Sequence, residues 1–153
     1  MKSESGRSLI EIVGVIAIGT VMMVSAIGMY NMMRNNHKRT VAESQLKQIA
    51  SDVKLLLEVR GDYSDVSVDY LIKAGALKNT KAPIGGDNWS ITPGIDNISF
   101  NINLTDLTQG ECAYFSSATS KWATSVIVNG FELGDNSDKC FSTPTNQISF
   151  VVK

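Results

Sequence analysis

The sequence predicts an α+β fold in which a long N-terminal helix packs on an antiparallel sheet and two cysteines close the C-terminal region. Three observations predict this fold. No proline interrupts residues 8–60, where apolar residues recur at helical spacing. After residue 89, apolar and polar residues alternate in short runs separated by turn residues. Both cysteines, Cys112 and Cys140, lie in this second part of the chain.

The composition limits the classes of function. The 153 residues suffice for one ordinary domain with its own core. The net charge of −1 is not that of a nucleic-acid-binding protein, and no nucleic acid is expected as a partner. The sequence contains no nucleophile elbow, phosphate-binding loop or metal-binding cluster. We therefore expect no enzyme, no catalytic residues, no cofactor and no metal site.

The first half of the predicted helix is apolar on all sides. The run Leu9–Tyr30 has 22 residues, so that as a helix it spans about 33 Å and matches a hydrocarbon core of ~30 Å. One acidic residue, Glu11, lies within this run. An acid in a membrane segment is costly and is therefore a candidate functional residue.

Two simpler interpretations of this N-terminus remain open. In the first it is a signal peptide, with Lys2 and Arg7 as its basic region and Val24–Ala26 as its cleavage site. In the second it is a plain single-pass anchor. Against the signal peptide, Glu11 interrupts the apolar run, and the run continues beyond the cleavage site.

The second half of the predicted helix is amphipathic. One apolar stripe is spaced at 4, 3, 4 and 3 residues, a pattern typical of a helix that packs on a domain. The stripe comprises Ala42, Leu46, Ile49, Val53 and Leu56. Gly61 is the expected C-cap, which predicts one helix from about residue 8 to residue 60.

The remaining elements are shorter. Asp69–Leu77 resembles a short helix, and 93–97 is expected to join two strands as a hairpin. Alternation ends after Leu104, and Thr105–Ala118 is predicted to be a helix with Thr105 or Asp106 as N-cap. The predicted strands are Trp89–Thr92, Ile98–Leu104, Thr124–Leu133 and Ile148–Val152.

The cysteines favour a disulfide over a zinc site. Cys112 and Cys140 belong to no C-x-x-C pair, and the one histidine, His37, is distant in sequence. Zinc requires three or four nitrogen or sulfur ligands, and the chain has three candidates in total. A disulfide indicates an oxidising compartment, such as the periplasm or the cell exterior.

A more specific interpretation takes all N-terminal features together. The segment Gly6–Glu11 resembles the cleavage motif of type IV prepilins and pseudopilins. In that family a peptidase cuts after the glycine, and glutamate is the fifth residue of the mature chain. The resemblance implies cleavage between Gly6 and Arg7, which makes Glu11 the fifth residue. Family members usually carry phenylalanine or methionine where this chain has Arg7.

The resemblance also implies a role for Glu11. In the family, the α-amine of one subunit neutralises this glutamate of its neighbour and sets the register of assembly. Arg7 and Glu11 are thus the expected assembly residues, because a lone carboxylate is costly in a dry filament core. The alternative is that Glu11 pairs with the Arg7 side chain of its own helix at i, i+4.

The C-terminal half is similar to one branch of the family. The segments Asp106–Cys112 and Lys139–Cys140 resemble the type IVb pilins, the group of PilS and the toxin-coregulated pilin. This implies the pilin fold. The expected divisions are a leader (1–6), a membrane or filament-core half-helix (7–30), an amphipathic half-helix (31–60) and a globular head (61–153).

The family resemblance implies the partners and the location. They are a homo-oligomeric helical filament, the prepilin peptidase, and the pilus assembly platform with its ATPase. The subunit would lie in the inner membrane first and in an extracellular pilus afterwards. Two alternatives remain open: a pseudopilin or minor pilin, and a secreted or anchored binding module.

The distribution of charge opposes the expected orientation. Arg34, Lys38 and Arg39 follow the apolar run, whereas only Lys2 and Arg7 precede it. The positive-inside rule alone would place the residues after the run in the cytoplasm. The resemblance at Gly6 implies the reverse, with the leader in the cytoplasm.

Overall fold

A computed structural model describes residues 9–117, 122–133 and 139–153. The expected leader and cleavage residues, including Gly6 and Arg7, lie outside the described residues. The chain divides into two compact units, Met1–Lys38 and Arg39–Lys153. Each unit is described by itself below.

The long N-terminal helix is present. Helix α1 covers Leu9–Leu57, and a 3-10 turn, Glu58–Arg60, extends it. Gly61 ends it with φ of 66°, in the left-handed region, and its N–H donates to the Glu58 carbonyl. Glycine adopts this conformation without the steric strain that a Cβ would cause, so the predicted C-cap is confirmed.

The buried stripe on the second half of α1 ends at Leu57, one residue after the predicted end at Leu56. Leu57 is fully buried, whereas Leu56 is 36% exposed. After Val53, the next residue that faces the core is Leu57, four positions later. The prediction of Leu56, three positions later, is wrong. The buried residues of the stripe are Ala42, Leu46, Ile49, Ala50, Val53 and Leu57.

An antiparallel sheet of five strands forms the centre of the second unit. The strands are β1 (Ser90–Pro93), β2 (Phe100–Leu107), β3 (Ser125–Val128), β4 (Phe131–Glu132) and β5 (Asn146–Val152). Their order in the sheet is β1-β2-β5-β3-β4, and every neighbouring pair is antiparallel. The C-terminal strand therefore lies in the middle of the sheet, between β2 and β3.

The end of β2 differs from the sequence prediction. Its alternation breaks at a bulge between Leu104 and Leu107, where Asp106 has a positive φ of 54°. The bulge adds one residue and turns Leu107 to the core, so the strand continues past the point where its pattern changes. The prediction of a helix from Thr105, with Thr105 or Asp106 as N-cap, is wrong.

Helix α3 begins later, at Gln109–Ser117. Thr108 and Glu111 form a reciprocal capping box at its start. The Glu111 carboxylate accepts from the Thr108 N–H at 2.9 Å, and the Thr108 hydroxyl accepts from the Glu111 N–H at 3.3 Å. A T-x-x-E sequence predicts this cap, and it places Cys112 and Phe115 on the buried face of the helix.

The predicted strand Thr124–Leu133 is a hairpin. Asn129 and Gly130, both with positive φ, form the turn between β3 and β4. Asn-Gly is a strong signal for such a two-residue turn, because both positions require the left-handed region. The expected hairpin through 93–97 is present between β1 and β2. The expected short helix is present as α2, Val68–Lys73, capped by Ser67.

The core of the second unit joins the stripe of α1 to the inner face of the sheet. The largest fully buried side chains include Phe100, Phe115 and Phe150 with Leu46 and Leu57. These residues come from α1, β2, α3 and β5, so one continuous core covers the helix-to-sheet contact. The predicted α+β class is confirmed: a long N-terminal helix, an antiparallel sheet and a C-terminal region closed by cysteines.

Candidate functional site

The most unusual part of the molecule is the uncharged part of α1. Glu11 lies in the first turn of the helix and is exposed, and Ile12–Met33 follows without a charged side chain. Within the described ranges, no side chain forms an ion pair or hydrogen bond with Glu11. The carboxylate therefore stands at one end of an apolar segment without a counterion from the described part of its own chain.

The apolar side chains of this segment cover all faces of the helix. From Leu9 to Met33, the large apolar side chains are 49–80% exposed. Of the residues that the structure describes, one helix, within Leu9–Arg60, is long and apolar enough to cross a membrane, with a mean hydropathy of 2.3 in its most apolar window. A helix that is apolar all round is suited to burial in lipid or among other apolar helices.

Two hydroxyl groups in this segment bond to their own helix. The Thr20 hydroxyl donates to the Ala17 carbonyl at 2.8 Å, and the Ser25 hydroxyl donates to the Val21 carbonyl at 2.8 Å. Neither hydroxyl needs water to satisfy its donor. Glu11 is the one charged residue in the sequence from Leu9 to Met33, and no described side chain pairs with it.

The proposed partner of Glu11 lies outside the described residues. Cleavage after Gly6 and pairing of the Arg7 amine with Glu11 stay predictions. The described structure starts at Leu9, two residues before the acid.

In the second unit, the two cysteines are joined. Cys112 of α3 and Cys140 form a disulfide with a Cα–Cα distance of 5.8 Å and a sequence separation of 28. In the chain-entropy account, a bridge of this span contributes roughly 3–4 kcal/mol. It ties the segment before β5 to α3, and it leaves no free cysteine among the described residues.

A buried asparagine holds the same segment against the sheet. The Asn146 amide donates to the carbonyls of Leu107, Phe141 and Thr143 at 2.9–3.1 Å. Its oxygen accepts from the Phe141 N–H at 2.7 Å and from the Asn129 amide at 3.0 Å. The sequence prediction missed this residue. The alternation of the final strand, extended one step back from Ile148, places position 146 on the core side.

A second polar network joins α3 to α1. The Tyr114 hydroxyl donates to the Glu43 carboxylate at 2.9 Å, and the Lys47 ammonium contacts the same carboxylate at 2.8 Å. The hydrogen bond from Lys47, and then that from Tyr114, lower the pKa of Glu43 below its usual value. The Arg39 guanidinium lies 5.9 Å from the centre of the Tyr114 ring. The contact surface of α3 thus combines a buried apolar side with a charged, hydrogen-bonded edge.

A cluster of metal-binding side chains is absent from the described residues. In 9–117, 122–133 and 139–153, no three His, Cys, Asp or Glu side chains converge as metal ligands would. The shifted titratable groups that the structure describes have structural partners, such as Glu43 with Lys47 and Tyr114. The arrangement offers an apolar helix with one unpaired acid, and a disulfide-closed domain.

Comparison with known proteins identifies the fold. No protein-family model matches the chain, and a search of curated proteins found no match. Among solved structures, the chain is similar to TcpA, a type IV pilin from Vibrio cholerae El Tor biotype, with a TM-score of 0.60. The sequences are 15% identical, and the match covers 76% of this chain and 99% of that chain.

At 15% identity, this similarity concerns the fold. It confirms, at that level, the likeness to type IV pilins drawn from the sequence, and it supports the narrower likeness to type IVb pilins. The long N-terminal helix, the five-stranded antiparallel sheet and the Cys112–Cys140 bridge are the features that carry it. The chain has the fold of a type IV pilin.

Proposed function

We propose that the protein is a structural, non-enzymatic subunit of a type IV pilus. It is cleaved after Gly6 by a prepilin peptidase, held in the inner membrane by the first half of α1, and then assembled into an extracellular filament. The observation that carries this proposal is the exposed, uncharged helix segment Ile12–Met33 with Glu11 at its start, on a chain with the pilin fold.

The exposed apolar surface requires a partner. Burying one large apolar side chain stabilises by about 1.5–3 kcal/mol. More than ten such side chains lie between Leu9 and Met33, so that covering them contributes on the order of 20 kcal/mol or more. A bilayer covers them before assembly, since the segment is about 33 Å long. Equivalent helices of other subunits cover them in the filament.

Glu11 distinguishes a filament segment from a plain anchor. In a bilayer, an acid near one end of a helix can stay close to the interface. In a filament core the interface is out of reach, and the α-ammonium of a neighbouring Arg7 becomes a favourable partner for the carboxylate. The acid therefore serves the docking of subunits, and the anchor alone would be more stable without it.

The disulfide supports export of the second unit. The bond between Cys112 and Cys140 requires an oxidising environment, such as the periplasm or the cell surface. A pilin head faces this environment both before and after assembly.

The mature N-terminus tests the proposal. The chain is expressed in cells that contain a prepilin peptidase, and the intact mass of the purified protein is measured. We expect a mature chain that begins at Arg7, and we expect Gly6→Val to abolish the cut. A mature chain that begins at Ile27 would identify a secreted module, and one that keeps Met1 in the presence of the peptidase would identify a plain anchor.

A further inference from the structure

A pair of cations follows directly after the apolar segment. Arg34 and Lys38 are exposed and lie one helical turn apart, at i and i+4 on one face of α1. From Ile12 to Ala42 the sequence contains no acidic residue. Both side chains thus point away from the helix at the place where the apolar surface ends.

These two cations have no counterion on their own helix. The positions three and four residues away carry no carboxylate, since Glu43 is the first acid after Glu11. Among the ion pairs of the described residues, Glu43 contacts Lys47, and Arg60 contacts Asp65. Neither Arg34 nor Lys38 takes part in an ion pair with another described residue. Both cations are therefore available to an anion from outside the chain.

The length of the apolar segment determines where this anion lies. The 22 residues of Ile12–Met33 span about 33 Å. The hydrocarbon core is ~30 Å thick, and the headgroup layers bring the bilayer to about 40–45 Å. Arg34 therefore emerges at the boundary of the far headgroup layer, and Lys38, about 6 Å further along the axis, lies within it. This is the depth of the lipid phosphates.

We propose that Arg34 and Lys38 form a binding site for the phosphate of an anionic phospholipid in the leaflet opposite the leader. The inference rests on the proposed function, since it assumes that the segment spans the inner membrane. Guanidinium binds phosphate through two parallel hydrogen bonds, and the ammonium adds a compact charge beside it. Two such cations at an anionic surface strengthen lipid binding by roughly tenfold or more.

The proposed lipid contact gives a function to Arg34 and Lys38, whose position after the apolar segment opposes the expected orientation. Cations on the far side of the membrane are unfavourable by the positive-inside rule. Once the segment is inserted, the lipid contact fixes the depth of the helix and retains the subunit in the bilayer. Assembly into a filament then has to break this contact, so anionic lipid sets how readily a subunit leaves the membrane.

Lipid binding to the full-length protein tests the proposal. The protein is reconstituted in nanodiscs that contain equal parts of phosphatidylglycerol and phosphatidylcholine, and the lipids retained on gentle release into detergent are counted by native mass spectrometry. We expect a preference for phosphatidylglycerol of about tenfold, and we expect Arg34→Gln with Lys38→Gln to remove it. The matched control is Lys73→Gln with Lys78→Gln, which removes two exposed cations elsewhere, and it should keep the preference.

The outcomes separate this inference from the proposed function. Flotation with neutral phosphatidylcholine vesicles measures anchoring alone, and failure to insert would overturn the membrane step of the proposed function. Insertion without a lipid preference would overturn only the inference. A preference that survives the Arg34 and Lys38 changes, or falls equally in the control, would also overturn it. If the changes at Arg34 and Lys38 remove a dimer peak and leave lipid retention unchanged, the partner is a second copy of the chain. That result would overturn the inference.

Discussion

At the scale of single residues, one buried amide side chain, Asn146, holds segments that lack regular structure against the sheet. Asn146 is fully buried and bonds to the end of β2, to the segment after Cys140 and to the Asn129 side chain. Each of these partners is a backbone or amide group, and the carbonyl of Leu107 is buried. The side chain therefore fixes the region next to the disulfide through several contacts at once.

Asn146→Ala is expected to destabilise the second unit by about 2–3 kcal/mol, because it removes several hydrogen bonds at a fully buried position and leaves the Leu107 carbonyl without this donor. Urea unfolding of the detergent-solubilised protein, followed by the fluorescence of Trp89 and Trp122, measures this. Gln147→Ala, at the exposed neighbouring position, is the control and should change the free energy of unfolding by less than about 0.5 kcal/mol. Equal effects of the two substitutions would contradict the role of the amide.

Tyr114→Phe is expected to weaken the pH dependence of stability. The folded-state pKa of Glu43 lies below its usual value of 4.5, first through Lys47 and then through Tyr114. The ionised carboxylate therefore stabilises the fold above pH 4.5, and this contribution is lost as the pH falls through the lowered folded-state pKa. Without the Tyr114 hydroxyl, the folded-state pKa of Glu43 rises towards its usual value. The stabilisation that is lost on acidification is therefore smaller.

Unfolding free energies measured at neutral pH and at several values below pH 4.5 test this expectation. The difference between the wild type and Tyr114→Phe should be a few tenths to about 1 kcal/mol at neutral pH. It should shrink as the pH falls. Tyr70→Phe removes a tyrosine hydroxyl elsewhere in the head and serves as the control. A difference between wild type and Tyr114→Phe that is constant with pH would show that the hydrogen bond to Glu43 is not its source.

At the scale of elements, α1 has two kinds of surface. Its residues up to Met33 are exposed and apolar on all sides, whereas its second half buries one stripe in the core of the head. The stripe ends at Leu57 and the chain leaves the helix at Gly61. The two halves should therefore respond differently to substitution, since only the second half contributes to the core.

Leu57→Ala is expected to cost about 2–4 kcal/mol, because it leaves a cavity where a fully buried side chain was. Leu55→Ala, two residues earlier, removes a side chain that is 73% exposed and should change stability by less than about 0.5 kcal/mol. The same urea titration compares them. A larger effect at position 55 than at position 57 would contradict the orientation of the helix.

Elements with a strong pattern could be predicted from the sequence, and local departures from a pattern could not. The absence of proline and the spacing of apolar residues predicted α1 and its cap at Gly61. The bulge at Asp106 could not be predicted, because a break in alternation looks the same whether a strand bulges or ends. Asn146 was missed because a polar residue at a core position is recognised only through partners that are distant in sequence.

For the candidate site, the sequence predicted the apolar segment and the cysteine pair, whereas the roles of Gly6, Arg7 and Glu11 stay predictions. The hydrogen bonds from the Thr20 and Ser25 hydroxyls to carbonyls of their own helix were not predicted. They depend on side-chain rotamers, which the sequence does not give. The partners of Glu11, Arg34 and Lys38 belong to other molecules by the proposals above. The structure of a single chain indicates such partners only where a charged side chain has no partner within the described chain.

At the scale of the whole molecule, the two units draw stability from different sources. The second unit, Arg39–Lys153, has a continuous core that includes the stripe of α1, and it has a disulfide. The apolar segment has no buried residue among those described in 9–38, and by the proposed function lipid or other subunits cover it. A change at Glu11 should therefore alter assembly and leave the folding of the head and the disulfide unchanged.

The most direct measurement is the ratio of sheared surface filaments to total mature subunit for the wild type and for Glu11→Val. Valine makes the anchor more apolar, so membrane insertion, cleavage after Gly6 and the Cys112–Cys140 bridge should all persist. Arg7→Phe is the matched control. It removes the side chain that could pair with Glu11 within one helix but keeps the α-ammonium, and it should be tolerated. The proposed function predicts that Glu11→Val lowers the ratio at least tenfold, since about 1.4 kcal/mol lost at each docking step is a factor of ten. Normal filaments from Glu11→Val would contradict the assembly role of the acid.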